Sequence, residues 1–227
     1  MELFIDDSNV EEIRKLTSLY PIDGVTTNPT ILSRSKLGAL NTLKEIREII
    51  GEDRPLFAQV IGETREEMLE DAHALLSHMN GKFVIKIPVT PAGVQVIREL
   101  SESGVLTCGT VVMSPMQAFL AAKAGACYVA PYLNRIDNMG YDGVRIVKEI
   151  QDILDNNGLD SRVLAASFRN SHQVTELATY GVDSMTLSVT VFEQLIPNML
   201  VEGMVKIFSD DFYKSTGCRS WKELLDQ

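Results

Sequence analysis

Histidine is scarce in this chain, with three among 227 residues: His73, His78 and His172. Two of them fall in one helical stretch and none follows a strand in a ligand spacing, so no metal centre is expected. Cysteine is equally sparse. Cys108, Cys127 and Cys218 are odd in number and match neither a CxxC nor a zinc pattern, which points to a reducing compartment. No apolar run approaches the ~20 residues of a membrane-spanning helix. The first residues enter a strand directly, without a basic or apolar leader pattern, so a cytoplasmic location is expected. Positive charge is in deficit as well: 21 Lys and Arg against 31 Asp and Glu leave a net charge of −10. Neither nucleic acid nor an anionic membrane suits such a surface, and any anionic ligand must be met by locally concentrated cations. Neither GxGxxG nor GxxxxGK(S/T) follows any strand, so an open doubly wound sheet, the runner-up architecture, lacks its signature.

What the chain does contain is a regular alternation. Short β-branched runs at Glu2–Asp6, Ile22–Thr26, Leu56–Ile61, Phe83–Pro88, Val105–Val112, Cys127–Tyr132, Arg162–Ala166 and Val182–Leu187 read as strands. Helical periodicity follows each, over Val10–Leu16, Gly38–Ile50, Thr64–His78, Thr90–Ser103, Ser114–Lys123, Tyr141–Asn156, Ser171–Tyr180 and from Val189 onward. Eight strand–helix repeats without a linker or long insertion predict a (β/α)8 barrel in one domain, residues 1–227. The barrel itself is expected over about 1–198. A helical tail at about 199–227, including Val201–Phe208 and Trp221, is left over and expected to pack on its own domain or on a neighbouring subunit.

The stretch Phe83-Val84-Ile85-Lys86-Ile87-Pro88-Val89-Thr90 carries the chemistry. It is apolar on both faces, as in a covered parallel strand, yet holds one lysine pointing with Val84. Burial disfavours an ammonium, and a neutral amine attacks carbonyls to form Schiff bases. The competing reading is a lysine with a packed stem and a solvated head. The other strand ends decide against it. In this fold the catalytic face is built at the C-terminal ends of the strands, where the chain places Asp6, Thr26 with Asn28, Gln59, Lys86, Thr110, Tyr132 with Arg135, and Ser167 with Arg169. Polar residues ending seven apolar strands are hard to explain as packing. Lys86 would form an iminium with a ketone, Asp6 would orient proton transfers, and Tyr132 with Gln59 would hold water. Arg135, Arg169, Ser167 and the helix start at Asn170 or Ser171 suit a phosphate.

The segments Gly24-Val25-Thr26-Thr27-Asn28-Pro29, Val84 to Thr90, Val129-Ala130-Pro131-Tyr132-Leu133-Asn134-Arg135 and Ala165-Ala166-Ser167-Phe168-Arg169 together resemble the transaldolase family. The match is to its short subgroup, which holds fructose-6-phosphate aldolases and small transaldolases, and it spans essentially the whole chain. The resemblance implies a cofactor-free Schiff-base enzyme acting on sugar phosphates and dihydroxyacetone. It also implies a homo-oligomer of pentamer rings stacked into decamers, the tail crossing to a neighbour. By resemblance Lys86 matches the imine lysine, Asp6 the strand-one carboxylate, Asn28 a donor-hydroxyl ligand and Thr110 a threonine near the catalytic water. Thr26, Ala130, Ser167, Arg135 and Arg169 fall at substrate-binding positions. Gln59 and Tyr132 stand where true transaldolases carry glutamate and phenylalanine, and so resemble the aldolase pattern. The expected reaction is reversible cleavage of fructose 6-phosphate to dihydroxyacetone and glyceraldehyde 3-phosphate. The alternatives are transfer of the three-carbon unit from sedoheptulose 7-phosphate to glyceraldehyde 3-phosphate, or a non-catalytic sugar-phosphate-binding barrel. Met113 and Met116 depart from the commonest fifth-strand sequence and bear on the pocket wall.

Overall fold

Strand β1 (Glu2–Asp6) pairs with β2 (Gly24–Thr26) on one side and, at the other end of the chain, with β8 (Ser184–Leu187). Between them run β3 (Leu56–Gln59), β4 (Phe83–Pro88), β5 (Thr107–Val112), β6 (Tyr128–Pro131) and β7 (Arg162–Ala165), every neighbour parallel, closing a barrel in chain order. This computed structural model describes residues 1–226. The chain divides into two units, Met1–Phe192 and Glu193–Gln227. The first is a (β/α)8 barrel.

The helices that follow the strands are α1 (Val10–Leu19), α2 (Pro29–Leu32), α3 (Ala39–Ile50), α4 (Arg65–His78), α5 (Pro91–Glu102), α6 (Pro115–Lys123), α7 (Leu133–Asn138), α8 (Gly143–Asn156), α9 (Ser171–Tyr180) and α10 (Val189–Phe192). Their starts are legible in the residues. Asn9, Asn28, Thr64, Thr90, Asp142 and Asn170 each accept a backbone N–H of the first turn, and Pro29, Pro91 and Pro115 take the position where a missing N–H costs nothing. Helix α5 lies so close over the end of β4 that a Cβ on Gly93 would stand 1.9 Å from the Pro88 carbonyl oxygen. Glycine there lets the helix cover the strand that carries Lys86.

Three details differ from the periodic reading. Helices α2 and α7 are one or two turns long, too short to show a period of 3.6, and occupy stretches expected as loop. The eighth helix is a single turn, α10. Pro197 biases Ile196 away from helical geometry, and the chain restarts as α11 (Met199–Thr216) with Asn198 as its cap. That helix is longer than the expected Val201–Phe208 and ends at Gly217, whose left-handed backbone (φ 72°) lets its N–H reach Tyr213 O at 2.8 Å.

The second unit consists of α11 and α12 (Trp221–Leu225), joined by a ring contact of 5.0 Å between Phe212 and Trp221. No residue of α11 is buried, and Met199, Leu200, Val205, Phe208 and Trp221 are exposed. Among the described residues no helix is long and apolar enough to cross a membrane.

Inside the barrel, Phe4, Phe57, Val84, Cys108, Tyr128 and Leu164 form one buried cluster. The rings of Phe4, Phe57 and Tyr128 meet edge to face at 5.1–6.2 Å. This layer fills the barrel below its C-terminal mouth, and whatever follows two residues later on each strand sits directly above it.

Candidate active site

That two-residue step assembles the site. Asp6 follows Phe4, Gln59 follows Phe57, Lys86 follows Val84, Thr110 follows Cys108, and Tyr132 follows Ala130, all on the interior face. Register brings the key groups side by side. Gln59 is the Cα partner of Lys86, and Asp6 is that of Thr26. The expected strand-end residues of β1 to β6 therefore converge on one interior.

Lys86 is 2% exposed, so the packed-stem, solvated-head alternative does not describe it. Its Nζ donates to the carbonyl oxygen of Thr27 at 3.0 Å. That carbonyl is itself fixed, because the Thr27 hydroxyl donates to Phe57 O at 2.8 Å and its N–H bonds to the same oxygen at 3.0 Å. The amine is thus aimed by backbone, and nothing in the residue type of Thr27 announces this. Cys108, the Cα partner of Lys86, is a second group of nucleophilic type on the adjoining strand. Burial pushes its thiol up to about 12, against the opposing pull of Lys86, so it stays protonated and poorly nucleophilic at neutral pH.

Asp6 accepts the Thr26 hydroxyl on Oδ1 at 2.7 Å, and Thr26 is also 2.7 Å from the hydroxyl of Thr186. Although half-buried at the strand end, the Asp6 carboxyl is crowded by protein. Lost hydration raises its pKa, and Lys86 and the Thr26 hydrogen bond offset this only in part. The sign is the reverse of the usual surface aspartate. The folded state holds this proton more tightly than the unfolded chain, so the contribution of Asp6 to stability is greatest below the ordinary value of 3.8 and is lost as pH rises through the folded value. Replacing Asp6 with asparagine keeps an acceptor for Thr26 but removes the charge. The variant should gain stability over the natural protein as pH rises from about 4 to about 7. Urea midpoints of both proteins at the two pH values test this; a constant difference would show that Asp6 titrates as in the unfolded chain.

On the other side of the barrel, the Tyr132 hydroxyl lies 3.1 Å from that of Thr110, both buried. The two hydroxyls bond directly to each other, and their remaining donor and acceptor capacity can together bind a water beside them. Strand β5 is irregular here. Its register with β6 shifts between Gly109 and Val112, and Val111 adopts φ 59°, rare for a β-branched residue. The extra residue turns both Val111 and Met113 against the interior cluster. Met113 thus reaches the barrel interior as expected for a wall residue, whereas Met116 is largely exposed in the first turn of α6.

Ser167 is the second non-glycine residue with positive φ, at 64°. Strained backbone of this kind collects at functional sites. Tyr132 bridges to Ala166, and Leu133 N and Asn134 N donate to Ala166 O and Ser167 O, each at 3.0 Å. These bonds tie the start of α7, which carries Arg135, to the loop carrying Ser167 and Arg169. Both arginines are exposed, and the Arg135 guanidinium stands over the Tyr132 ring at 5.4 Å from its centroid. Ala130 is buried in the interior cluster, two residues before Tyr132. Asn28 and Asn170 both spend a side-chain oxygen on capping, toward Ile31 N and Gln173 N. Of Asn28, the amide nitrogen is the part not used by its cap. The three histidines lie on outer helices, His73 and His78 on α4 and His172 on α9.

Two participants were missed from sequence alone, the Thr27 carbonyl and Thr186. The second had a signal: it is a polar residue near the end of the eighth strand, in the same alternate frame two residues after the buried Ser184.

The comparison with known families agrees with the geometry. A family model described as transaldolase/fructose-6-phosphate aldolase matches residues 3–216, almost the whole chain, including every strand of the barrel apart from the first residue of β1 and every candidate site residue. The chain therefore belongs to the transaldolase/fructose-6-phosphate aldolase family, whose members are enzymes of aldolase or transaldolase type.

Proposed function

We propose that the protein is a Schiff-base aldolase that cleaves fructose 6-phosphate reversibly to dihydroxyacetone and glyceraldehyde 3-phosphate. The observation that carries this reading is the neutral Gln59 beside Lys86, together with the Tyr132 and Thr110 hydroxyls 3.1 Å apart. The Lys86 amine attacks the C2 ketone to give a carbinolamine, which loses water to become an iminium. The C3–C4 bond then breaks as the C4 hydroxyl gives up its proton, and the bonding pair moves into the iminium to form an enamine. Glyceraldehyde 3-phosphate leaves. Protonation at C3 regenerates an iminium, and water attack frees dihydroxyacetone and the amine. Asp6 orients the hydroxyl proton, and Arg135, Arg169 and Ser167 receive the phosphate.

The last step separates an aldolase from a transaldolase. Free dihydroxyacetone appears only if water is delivered to the iminium, a task suited to the Tyr132–Thr110 pair. A transaldolase keeps the enamine until a second aldose arrives. A non-catalytic sugar-phosphate binder would have no use for a buried amine held on a fixed carbonyl. The test is incubation with fructose 6-phosphate and no acceptor aldose. Free dihydroxyacetone should form with turnover. Transfer from sedoheptulose 7-phosphate to glyceraldehyde 3-phosphate, with no free dihydroxyacetone, would make the enzyme a transaldolase instead.

A further inference from the structure

Strand β8 is the one barrel strand whose end has no part in the chemistry above. Thr186 is its last residue but one, 2% exposed, beside Phe4 of β1 in register. Its hydroxyl oxygen lies 2.7 Å from that of Thr26, which is fully buried and 2.7 Å from Asp6 Oδ1. Thr26 has one proton to give and two neighbours to give it to. When Asp6 is ionised, the carboxylate is the stronger acceptor, so Thr26 donates to Asp6 and Thr186 must donate to Thr26. When Asp6 is protonated, the same chain can run the other way, from Asp6 to Thr26 to Thr186. A hydroxyl at position 186 serves both directions, and an alkyl group serves neither.

We propose that Thr186 is a positioning residue for the aldol chemistry. Its hydroxyl completes a buried chain, Thr186–Thr26–Asp6, that holds the Asp6 carboxyl in place and supports it in both protonation states. Successive bonds in such a chain polarise one another, so Thr186 strengthens the bond that Thr26 makes to Asp6 without touching substrate. The proposal rests on the reading of Lys86 and Asp6 as reacting groups. The charged groups that face Asp6 are Lys86 from β4 and Asp7 next in the chain. Neither threonine carries charge, so changing Thr186 alters the hydrogen bonding of Asp6 and leaves the surrounding charge as it was.

The experiment compares Thr186→Val with Thr186→Ser in cleavage of fructose 6-phosphate across pH, with borohydride trapping of dihydroxyacetone alongside. Thr186→Val should lower kcat about five- to tenfold, the scale of one hydrogen bond, with KM changed less than about twofold. The acidic limb of its kcat profile should move to higher pH, because the charge-assisted chain to the ionised carboxylate loses more support than the neutral chain from the protonated one. Thr186→Ser should restore both. If Thr186→Val does not fold, as judged by circular dichroism, Thr186→Ala gives the same comparison. Loss of stability with kcat and pH profile unchanged would overturn the positioning role, and so would a serine variant as impaired as the valine one. Trapping separates the two readings. A natural protein that forms no adduct at Lys86 overturns the Schiff-base function and this proposal with it. An adduct in both proteins, with Thr186→Val as active as the natural enzyme, overturns this proposal alone.

Discussion

Borohydride reduction in the presence of dihydroxyacetone should attach a stable three-carbon group to the peptide containing Lys86, and Lys86→Met should abolish both the adduct and the cleavage of fructose 6-phosphate. Loss of a covalent nucleophile should cost a factor on the order of 10⁴ or more, since neither binding nor acid–base groups replace the electron sink of the iminium. The position of the amine is the reason. It is buried, aimed at the Thr27 carbonyl at 3.0 Å, and carried by a strand whose register sets it between Gln59 and Cys108. Cys108 cannot stand in for it, because burial keeps the thiol protonated. Lys82 and Lys123 are internal controls: both are exposed, Lys82 just before β4 and Lys123 at the end of α6. Peptide mapping that found the reduced group on either, or an active Lys86→Met variant, would remove Lys86 from the mechanism.

Tyr132→Phe should affect the two fates of the enamine unequally. Gln59 is a neutral amide and cannot act as a general base, so in the proposed mechanism water attack on the iminium falls to the Tyr132 hydroxyl and its partner Thr110. General acid–base assistance is typically worth ~10²–10⁴-fold, and release of dihydroxyacetone should fall by a factor in that range. Transfer to an added acceptor aldose does not need the water and should survive better, shifting the variant toward transaldolase behaviour. Single-turnover measurements of glyceraldehyde 3-phosphate and dihydroxyacetone, with and without acceptor, resolve the two steps. Equal loss of release and transfer would place the hydroxyl in a step common to both. The substitution also leaves Thr110 without its side-chain partner in a buried setting. A stability loss of about 1 kcal/mol should accompany the kinetic effect and be measured separately.

The barrel was legible because its rules are local. Eight alternations of β-branched run and helical period call for a parallel closed sheet, and the period of two along each strand says which residues share the interior with Phe4, Phe57 and Val84. The rule that this fold builds its site at the C-terminal strand ends brings Asp6, Gln59, Lys86, Thr110 and Tyr132 to one mouth of the barrel. Periodicity failed where the period was too short to show, at α2 and α7, and in the lengths of α10, which is a single turn, and of α11, which runs well beyond Phe208. The contacts between strands were not legible at all. Lys86 meets a carbonyl 59 residues away, Thr26 meets Thr186 across 160 residues, and Thr110 meets Tyr132 across a bulged β5–β6 pair. The sequence by itself determined the fold class and which side chains point inward, because the first follows from the alternation of strands and helices along the chain and the second from the alternation of residues along a strand. Which of those side chains touch was decided only by the closed barrel, since closure and register set neighbours across strands and depend on every strand at once.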